Sequence, residues 1–586
     1  MPNGTRRSLI LAVAATLLAS PSFAAAHGGD KEPLRNIGHI VVIYQENHSF
    51  DNLYGGWEGV DGIAHARVKQ VNQAGSPFAC LKQNDVNLIS PQIADTCTDA
   101  ANGITSAFAN APFRIDRFIA ATDTTCPDED DASPNGIPKG AGLPGGCTRD
   151  LVHRFYQEQY QIDGGKMDRY VAGSDALGLT LGYYDTKRLP IYAYLHRPRH
   201  PRYVIADNFF QAAFGGSFLN HQWLIAARTP AWPGAVNDGS PVDLHSVVDV
   251  NGMPREYGLY VSPAAKAIKD QALTASCHPA EHRAATPPGV VCGDFAVNTI
   301  QPAAWPYAPG TAETKRLPPL TAPTIGDRLS DAGIDWAWYA GGWANAEGDP
   351  SQPAFTNGTG PKCSDPRAAA GSTWPRCPDK LFQFHHQPFN YFANFAPGTE
   401  QRTKHLRDEA EFLQLARASG SAGCKLKAVS FIKPLGAENE HPGYASESNG
   451  SNHLVDLLQA IEDSGCARDT MVIVTYDEFG GLADHVAPPS QANGKGAADQ
   501  WGPGTRIPAL VIAPSLRHAM AVDRVVHDTT SILATIEHRF GLEPLGSRDA
   551  ASRDLTTVFA AAAPAARRDT EKAKARSHAG NTPALR

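Results

Sequence analysis

Beyond its first 26 residues the chain lacks any apolar run of the about 20 residues that a membrane-spanning helix needs. It also lacks an excess of basic residues, because its formal net charge is −8 and only 19% of its residues are charged. No sequence repeat occurs, and no two cysteines have the CxxC spacing of a zinc site. These absences argue against an integral membrane protein, a nucleic-acid binder, a repeat protein and a thiolate metal site.

What is present is a chain of 586 residues, 42% hydrophobic, which is enough to bury a large core. Met1–Ala26 combines the basic pair Arg6 and Arg7, an apolar run over Leu9–Leu18 and a small-residue stretch, a pattern that predicts a signal peptide. The paired arginines also resemble a twin-arginine export signal, with ordinary secretion as the equal alternative. We therefore expect a periplasmic or secreted protein with no transmembrane segment in the mature chain.

The chain has ten cysteines, which in an exported protein suggest disulfides. Connectivity cannot be deduced from sequence, so the pairing of near neighbours in the chain is a hypothesis based on proximity. The pairs predicted in this way are Cys80–Cys97, Cys126–Cys147, Cys277–Cys292, Cys363–Cys377 and Cys424–Cys466.

Short apolar runs that end in polar residues are typical of buried parallel strands. They lie at residues 40–43, 203–206, 429–432, 472–475 and 509–512. Between the third and fourth runs, Leu454, Leu457, Leu458 and Ile461 have helical spacing, and we expect Asn452 as the cap and a stop at Gly465. Strands that alternate with helices indicate an α/β fold around a largely parallel sheet.

Several stretches are rich in proline, glycine and polar residues and are predicted to be loops, notably residues 128–146, 229–239 and 279–323. We expect one domain over residues 35–560, with long insertions near 70–150 and 229–323 that form lids or substrate walls. Residues 562–586 are rich in alanine, arginine and lysine without apolar periodicity, which predicts a disordered tail.

Two pairs of polar residues follow predicted strands directly. Glu46 and Asn47 come after the first strand, and Asp477 and Glu478 come after the fourth. Ligands of open α/β sheets bind beyond the carboxyl ends of the strands, and adjacent carboxylates there repel each other unless a cation or a shared proton neutralises them. A hard divalent metal ion explains both pairs, whereas either pair alone could equally be a solvated loop.

The segment His39–Asn52 resembles the start of the phosphoesterase family that contains bacterial acid phosphatases and nonspecific phospholipases C. The resemblance extends from about Ile37 to about Leu542 and implies an alkaline-phosphatase-like three-layer sandwich, with a central, largely parallel sheet and long loop insertions. The further motifs that carry it are, in order, Gly164–Asp168, Asn220–His221, His385–Phe389, Glu440–Gly443, Tyr476–Glu478 and Asp484–Pro489.

This resemblance implies one divalent metal ion of open identity. Ser217 would be both metal ligand and nucleophile and would form a phosphoserine, and Asn47 would also touch the phosphate. A helix over residues 218–225 would direct its N–H groups toward that phosphate. The residues implied as metal ligands are Glu46, Asn47, Ser217, Asp477 and Glu478.

Four histidines match by position those that line the phosphate pocket in the acid phosphatase branch: His153, His385, His386 and His441. Protonated imidazoles would bind the phosphate dianion and could pass a proton to the leaving alcohol, which predicts activity that favours acid pH. His485 is left outside this set, since the segment around it could brace the metal loop instead.

The resemblance leaves the substrate open. Members similar to phospholipase C more often carry threonine where this chain has Ser217, so a small phosphate monoester is the first expectation and a phospholipid the alternative. A choline head group would need an aromatic cage, although the alternation of Trp336 and Trp338 also fits a packed strand. A third hypothesis is a noncatalytic exported protein that binds phosphate or a partner. The aromatic residues considered for the cage are Trp305, Trp336, Trp338, Tyr339 and Trp343.

Overall fold

The computed structural model describes most of the chain between residues 33 and 564. The described residues are 33–82, 94–118, 148–233, 246, 248–263, 272–274, 291, 293–298, 317–355, 382–420, 423–443, 445–490 and 496–564. The predicted signal peptide, residues 565–586 of the predicted tail and Trp305 lie outside these ranges. Within them, no helix is both long enough and apolar enough to cross a membrane.

The strands of the described residues form one large sheet and two small pairs. They are β1 His39–Gln45, β2 Cys97–Asp99, β3 Ile104–Ser106, β4 Phe113–Arg114, β5 Gly182–Tyr183, β6 Tyr203–Phe210, β7 Trp336–Ala340, β8 Leu406–Asp408, β9 Val429–Lys433, β10 Thr470–Tyr476, β11 Ala509–Ile512 and β12 Met520–Asp528.

The helices that connect and cover these strands range from one to four turns. They are α1 Phe50–Leu53, α2 Phe155–Ile162, α3 Pro190–His196, α4 Ser217–Ala226, α5 Ile325–Asp331, α6 Trp343–Glu347, α7 Glu400–His405, α8 Glu409–Arg417, α9 Glu447–Glu462, α10 Thr530–Phe540 and α11 Ser547–Ala551.

The large sheet has the strand order β12-β6-β11-β10-β1-β9-β7-β8. Its neighbouring strands are parallel except for β11, which is antiparallel to both β10 and β6. The predicted α/β class with a largely parallel sheet is therefore confirmed. The expectation that residues 509–512 form a parallel strand is wrong, because an apolar run has the same composition whichever way the strand is oriented.

Helices cover both faces of this sheet. On one face Tyr339 of β7 packs edge-on against Phe412 of α8, and α9 packs between α8 and α3. On the other face the ring of Trp336 packs at a tilt against Phe389, with α5, α4 and α10 packed in series beside it. Side chains of a strand alternate between faces, so the all-buried sequence of β7 reflects burial on both sides.

The helix predicted from the leucine spacing is α9, and all four apolar residues on its predicted face are buried. It begins earlier than expected: Ser446 is its N-cap and accepts a hydrogen bond from the backbone N–H of Asn449. The expected cap, Asn452, is exposed within the helix. Asparagine is a good cap only at the start of a helix, and α9 already starts after Ser446, six residues before Asn452 (452 − 446 = 6).

Two of the predicted disulfides join described residues, and both are present: Cys80–Cys97 and Cys424–Cys466. The second closes a separation of 42 residues and ties the segment before β9 to the segment before β10. The other predicted pairs involve cysteines outside the described residues.

The ion pair between His453 of α9 and Glu409 of α8 predicts a pH dependence of stability. Burial opposes protonation, but Glu409, whose Oε1 lies 2.6 Å from Nε2, raises the pKa of His453 to about 9. Because the folded-state pKa lies above the unfolded one, this stabilisation is complete below about pH 6.5 and is lost as the pH rises through about 9. We expect His453→Gln to lower the free energy of unfolding on the order of 2–3 kcal/mol at the acid end of this window and not at the alkaline end. Urea unfolding at both ends measures this.

His518→Gln is the matched control, since His518 is exposed. A loss of equal size at both ends of the pH window in His453→Gln would refute the ion-pair contribution.

Candidate active site

The polar residues predicted from the strand ends meet at one edge of the large sheet. Glu46 and Asn47 follow β1, Asp477 and Glu478 follow β10, and Ser217 is the first residue of α4, beyond the end of β6. Because β1, β10 and β6 run in the same direction, their carboxyl ends lie at the same edge. Parallel register aligns Gln45 with Tyr476, so the pair Glu46–Asn47 and the pair Asp477–Glu478 leave the sheet at the same level.

The hydroxyl of Ser217 lies at the centre of these residues. Its Oγ is 3.2 Å from Glu46 Oε2, 3.3 Å from Asn47 Oδ1 and 3.2 Å from Glu478 Oε1. Ser217 is 7% exposed, and both glutamates are fully buried. One hydroxyl can donate only one hydrogen bond at a time, so three acceptors around it form an oxygen-rich centre suited to a hard cation.

Asp477 holds the backbone of this centre. Its Oδ1 accepts hydrogen bonds from the backbone N–H of Asn47 (3.1 Å) and of Glu478 (2.8 Å). Asn47 has a positive φ of 55°, a conformation that asparagine tolerates better than most residues. Among the described residues, Asp477 Oδ2 has no hydrogen-bond partner, so it would suit a metal ion.

A glycine after the second acidic pair permits the two loops to approach each other. Gly480 has a φ of 62°, and a Cβ at this position would lie 2.4 Å from the carbonyl oxygen of Asn47. Its N–H donates to Glu478 Oε2 (2.6 Å), which leaves Oε1 of that carboxylate facing Ser217.

The turn that carries Ser217 is held by a buried acid that the sequence analysis missed. Glu158 of α2 accepts hydrogen bonds from the N–H of Gly215 (2.5 Å) and from the N–H of Thr505 (2.7 Å). Burial raises the pKa of Glu158 to about 8. Gly215 itself has a φ of 88°, and a Cβ there would lie 2.8 Å from the backbone nitrogen of Phe155.

The helix predicted over residues 218–225 is α4, which begins at Ser217 itself with Gly216 as its N-cap. The N-terminal N–H groups of the helix therefore lie beside the hydroxyl. This end of a helix favours an anion through its free N–H groups and its dipole.

His153 and His441 both contact this centre, with different charges. His153 Nδ1 donates to the carbonyl oxygen of Leu151 (2.5 Å), and Nε2 lies 3.0 Å from Glu478 Oε1. Burial opposes protonation, but Glu478 outweighs it and raises the pKa of His153 to about 10. In His441, by contrast, burial lowers the pKa to about 3, and its Nε2 accepts from Asn47 Nδ2 (2.9 Å).

His385 and His386 lie deeper, in a short 3₁₀ turn at residues 384–386. Burial lowers the pKa of both, and further lowering comes from neighbouring positive charge. Burial thus favours the neutral ring at His385, His386 and His441, against the expectation of four protonated imidazoles. His153 is the one of the four that its carboxylate partner keeps cationic.

His221 and Lys433 complete the buried wall of the site. The sequence analysis named His221 only within the motif Asn220–His221, without a role, and missed Lys433. His221 Nδ1 donates to the carbonyl oxygen of Ser217 (2.8 Å), and its ring stacks on His386 with centroids 5.3 Å apart. Lys433, the last residue of β9, forms an ion pair with Glu46 Oε1. A lysine that ends an apolar strand was a usable signal, since lysine is rarely buried without a partner.

Electrostatics at the centre favour an added cation. Burial opposes ionisation of Glu46, but Lys433 and His386 outweigh it and hold the pKa of Glu46 well below its usual range. Burial, followed by the charges of Glu46 and Glu478, raises the pKa of Asp477 well above its usual range. A divalent ion among these oxygens would relieve the repulsion, so the residues present fit a metal ion.

His485 belongs to a separate charged cluster around Arg506. Its Nδ1 lies 2.6 Å from Asp51 Oδ2, and Arg506 contacts Asp51 (3.2 Å) and Asp484 (3.0 Å). Because Ser49 Oγ also donates to the carbonyl oxygen of Ala483 (2.8 Å), this cluster joins the loop after β1 to the loop after β10. His485 contacts Asp51 and Asp61 and is placed to brace the two loops.

Comparison with known proteins gives consistent matches. A model of the Phosphoesterase family matches residues 37–543. Phospholipase C A of Mycobacterium tuberculosis is 22% identical over 582 residues, covering 93% of this chain and 82% of the relative. Non-hemolytic phospholipase C of Pseudomonas aeruginosa is 29% identical over 219 residues, covering 33% of this chain and 32% of the relative.

Among solved structures, a protein in the alkaline phosphatase superfamily from Vibrio parahaemolyticus is 15% identical. The match covers 40% of this chain and 50% of that one, with a TM-score of 0.20. A phosphonate monoester hydrolase of Agrobacterium radiobacter is 12% identical over 45% of this chain and 69% of that one, with a TM-score of 0.22.

The close approach at Gly480 predicts that Gly480→Ala weakens the binding of Mn²⁺ at least about ten-fold, because the methyl group would push Asn47 away from Glu478. Calorimetric titration of the protein with Mn²⁺ measures this. Gly541→Ala is the matched control: Gly541 has a similar φ of 67°, but a Cβ there would meet nothing within 4 Å. It should cost about 1–2 kcal/mol of stability and leave Mn²⁺ binding unchanged. Equal Mn²⁺ affinities in the two variants would contradict this account.

Proposed function

Since the chain belongs to the Phosphoesterase family and is a hydrolase of phosphoric ester bonds, we propose that it acts on phosphate monoesters with Ser217 as its nucleophile. The observation that carries the proposal is the position of Ser217, whose hydroxyl lies within 3.3 Å of three side-chain oxygens at the start of α4. A serine that served only in a turn would not need three buried acceptors, two of them carboxylates.

The proposed metal ligands are Glu46, Asn47, Ser217, Asp477 and Glu478. A divalent ion bound there supplies Lewis acidity that makes the serine hydroxyl more acidic and offsets charge on the phosphoryl oxygens. The side chains fix where the phosphoryl group can go. Glu46, Asn47 and Glu478 already contact Ser217 Oγ, so we expect the ester to approach from the start of α4, within reach of its N–H groups and of His153.

In the proposed reaction the bond from Ser217 Oγ to phosphorus forms as the bond from phosphorus to the alcohol oxygen breaks. The serine proton passes to a neighbouring carboxylate, and the alcohol leaves with the proton of the cationic His153. Water then attacks phosphorus and passes a proton to His153, which becomes cationic again. The bond to Ser217 breaks, the serine oxygen regains the proton held by the carboxylate, and inorganic phosphate is released. Neutral His441 accepts a hydrogen bond from Asn47 and thereby orients its amide toward the reacting group.

Four of the five aromatic residues considered for a choline cage support a monoester instead of a choline lipid, and the fifth, Trp305, lies outside the described residues. Trp336, Trp338 and Tyr339 are in β7 and Trp343 is in α6, and all four are buried. Trp338 Nε1 donates to the carbonyl oxygen of His386 (2.7 Å), so it packs behind the site. A cage needs exposed aromatic faces around a cation, and these four side chains have none to offer.

Phospholipase C activity is the second candidate, because the curated relatives are named as phospholipases C. The serine nucleophile can attack a phosphodiester as well as a phosphate monoester. A diester differs in that the site must also have room for a second substituent on phosphorus. A binding protein without catalysis does not fit membership in a family of hydrolases. We further propose export to the periplasm or the medium, from the composition of residues 1–26.

The nucleophile is tested by Ser217→Ala, which should lower turnover of p-nitrophenyl phosphate at least about a thousand-fold, because no other hydroxyl occupies its place. Ser217→Thr is the matched control, since it keeps a hydroxyl and should retain measurable turnover. If Ser217→Ala kept full activity, the nucleophile would have to be reassigned.

The substrate class is tested by comparing p-nitrophenyl phosphate with p-nitrophenyl phosphorylcholine from about pH 4 to about pH 9. We expect the monoester to be the better substrate. Because His153 stays cationic until about pH 10 while His441 stays neutral above about pH 3, activity should extend to neutral pH. A higher kcat/KM for the phosphorylcholine ester would favour phospholipase C.

A further inference from the structure

Lys433 is fully buried at the carboxyl end of β9 and is directed at the site. Its Nζ pairs with Glu46 Oε1 and donates to the carbonyl oxygen of Gln45 (3.2 Å). It also lies 5.0 Å from the centre of the Tyr44 ring. The two oxygens of Glu46 therefore have different surroundings: Oε2 faces Ser217, whereas Oε1 faces Lys433.

Two histidine nitrogens lie beside the same Oε1. His386 Nε2 is 3.0 Å from it and His221 Nε2 is 3.9 Å from it. Neither nitrogen has a hydrogen-bond partner among the described residues, and both rings are buried. Because His221 Nδ1 donates to a backbone carbonyl, its Nε2 carries the lone pair that a metal ion requires.

These three ligand atoms lie close enough together to hold a metal ion. A carboxylate with two imidazoles is a common donor set for transition metals. The ammonium of Lys433, however, is already in contact with the carboxylate oxygen of this group. A divalent ion at the same oxygen would be repelled by that ammonium at short range.

We infer that Lys433 fills, as a fixed internal cation, a second cation position formed by Glu46, His221 and His386, and thereby limits the centre to one metal ion. The inference rests on the proposed metal centre at Ser217. Glu46 is shared between the two positions, with one oxygen for the metal ion and one for Lys433. The lysine supplies the positive charge that this buried carboxylate needs, and it does so whether or not a metal ion is bound.

The test is to count the Co²⁺ ions that the metal-depleted full chain binds, by equilibrium dialysis and elemental analysis. The wild-type protein should bind one ion. Lys433→Met should bind two, because the methionine side chain stops one atom short of the ammonium position and leaves three ligand atoms free. Lys433→Met combined with His386→Ala should bind one again. Lys433→Ala is the second variant, with circular dichroism to verify folding.

His386→Ala in the wild-type background tests the inference without changing Lys433. It should still bind one Co²⁺ ion, since His386 belongs to the position that Lys433 fills. Two ions in the wild type, or one ion in both folded Lys433 variants, would overturn the inference and leave the metal centre at Ser217 standing. No ion in His386→Ala would overturn the inference and assign the single ion to the His386 position instead of to Ser217. Zero ions in the wild type would overturn that centre and the inference together.

Discussion

The structure depends on the burial of three carboxylates around one serine hydroxyl. Glu46, Asp477 and Glu478 are fully buried, and water cannot compensate their charges. Half of their six oxygens have a distinct protein partner: Lys433 for Glu46 Oε1, two backbone N–H groups for Asp477 Oδ1, and the N–H of Gly480 for Glu478 Oε2. The remaining oxygens are directed inward, toward Ser217 and the proposed metal ion.

The sheet makes this arrangement possible because β1 lies between β10 and β9 and is parallel to both. Its carboxyl end therefore meets Asp477 and Glu478 on one side and Lys433 on the other. A slip of one residue in either register would exchange the faces of the side chains and separate the acids from their partners. The contacts of the buried acids with their partners therefore stabilise the same register that brings them together.

Much of this could be predicted from sequence, because apolar runs ending in acids mark buried strands with a functional edge. The four parallel strands predicted at residues 40–43, 203–206, 429–432 and 472–475 are confirmed. The direction of β11 and the partner of Lys433 could not be predicted, since both depend on neighbours that are distant in the chain. Glu158 is missed for the same reason: its partner Thr505 is 347 residues away.

The charges of the histidines show the same dependence on neighbours. In His153, His441 and His221, Nδ1 donates to a backbone carbonyl, which directs Nε2 toward the site in each. Nε2 of His153 then meets the carboxylate of Glu478, while Nε2 of His441 meets the amide of Asn47. The backbone therefore sets the orientation of each ring and the neighbour sets its charge. A phosphoryl group beside Ser217 would meet one imidazolium, and the positive charge behind Glu46 would come from Lys433.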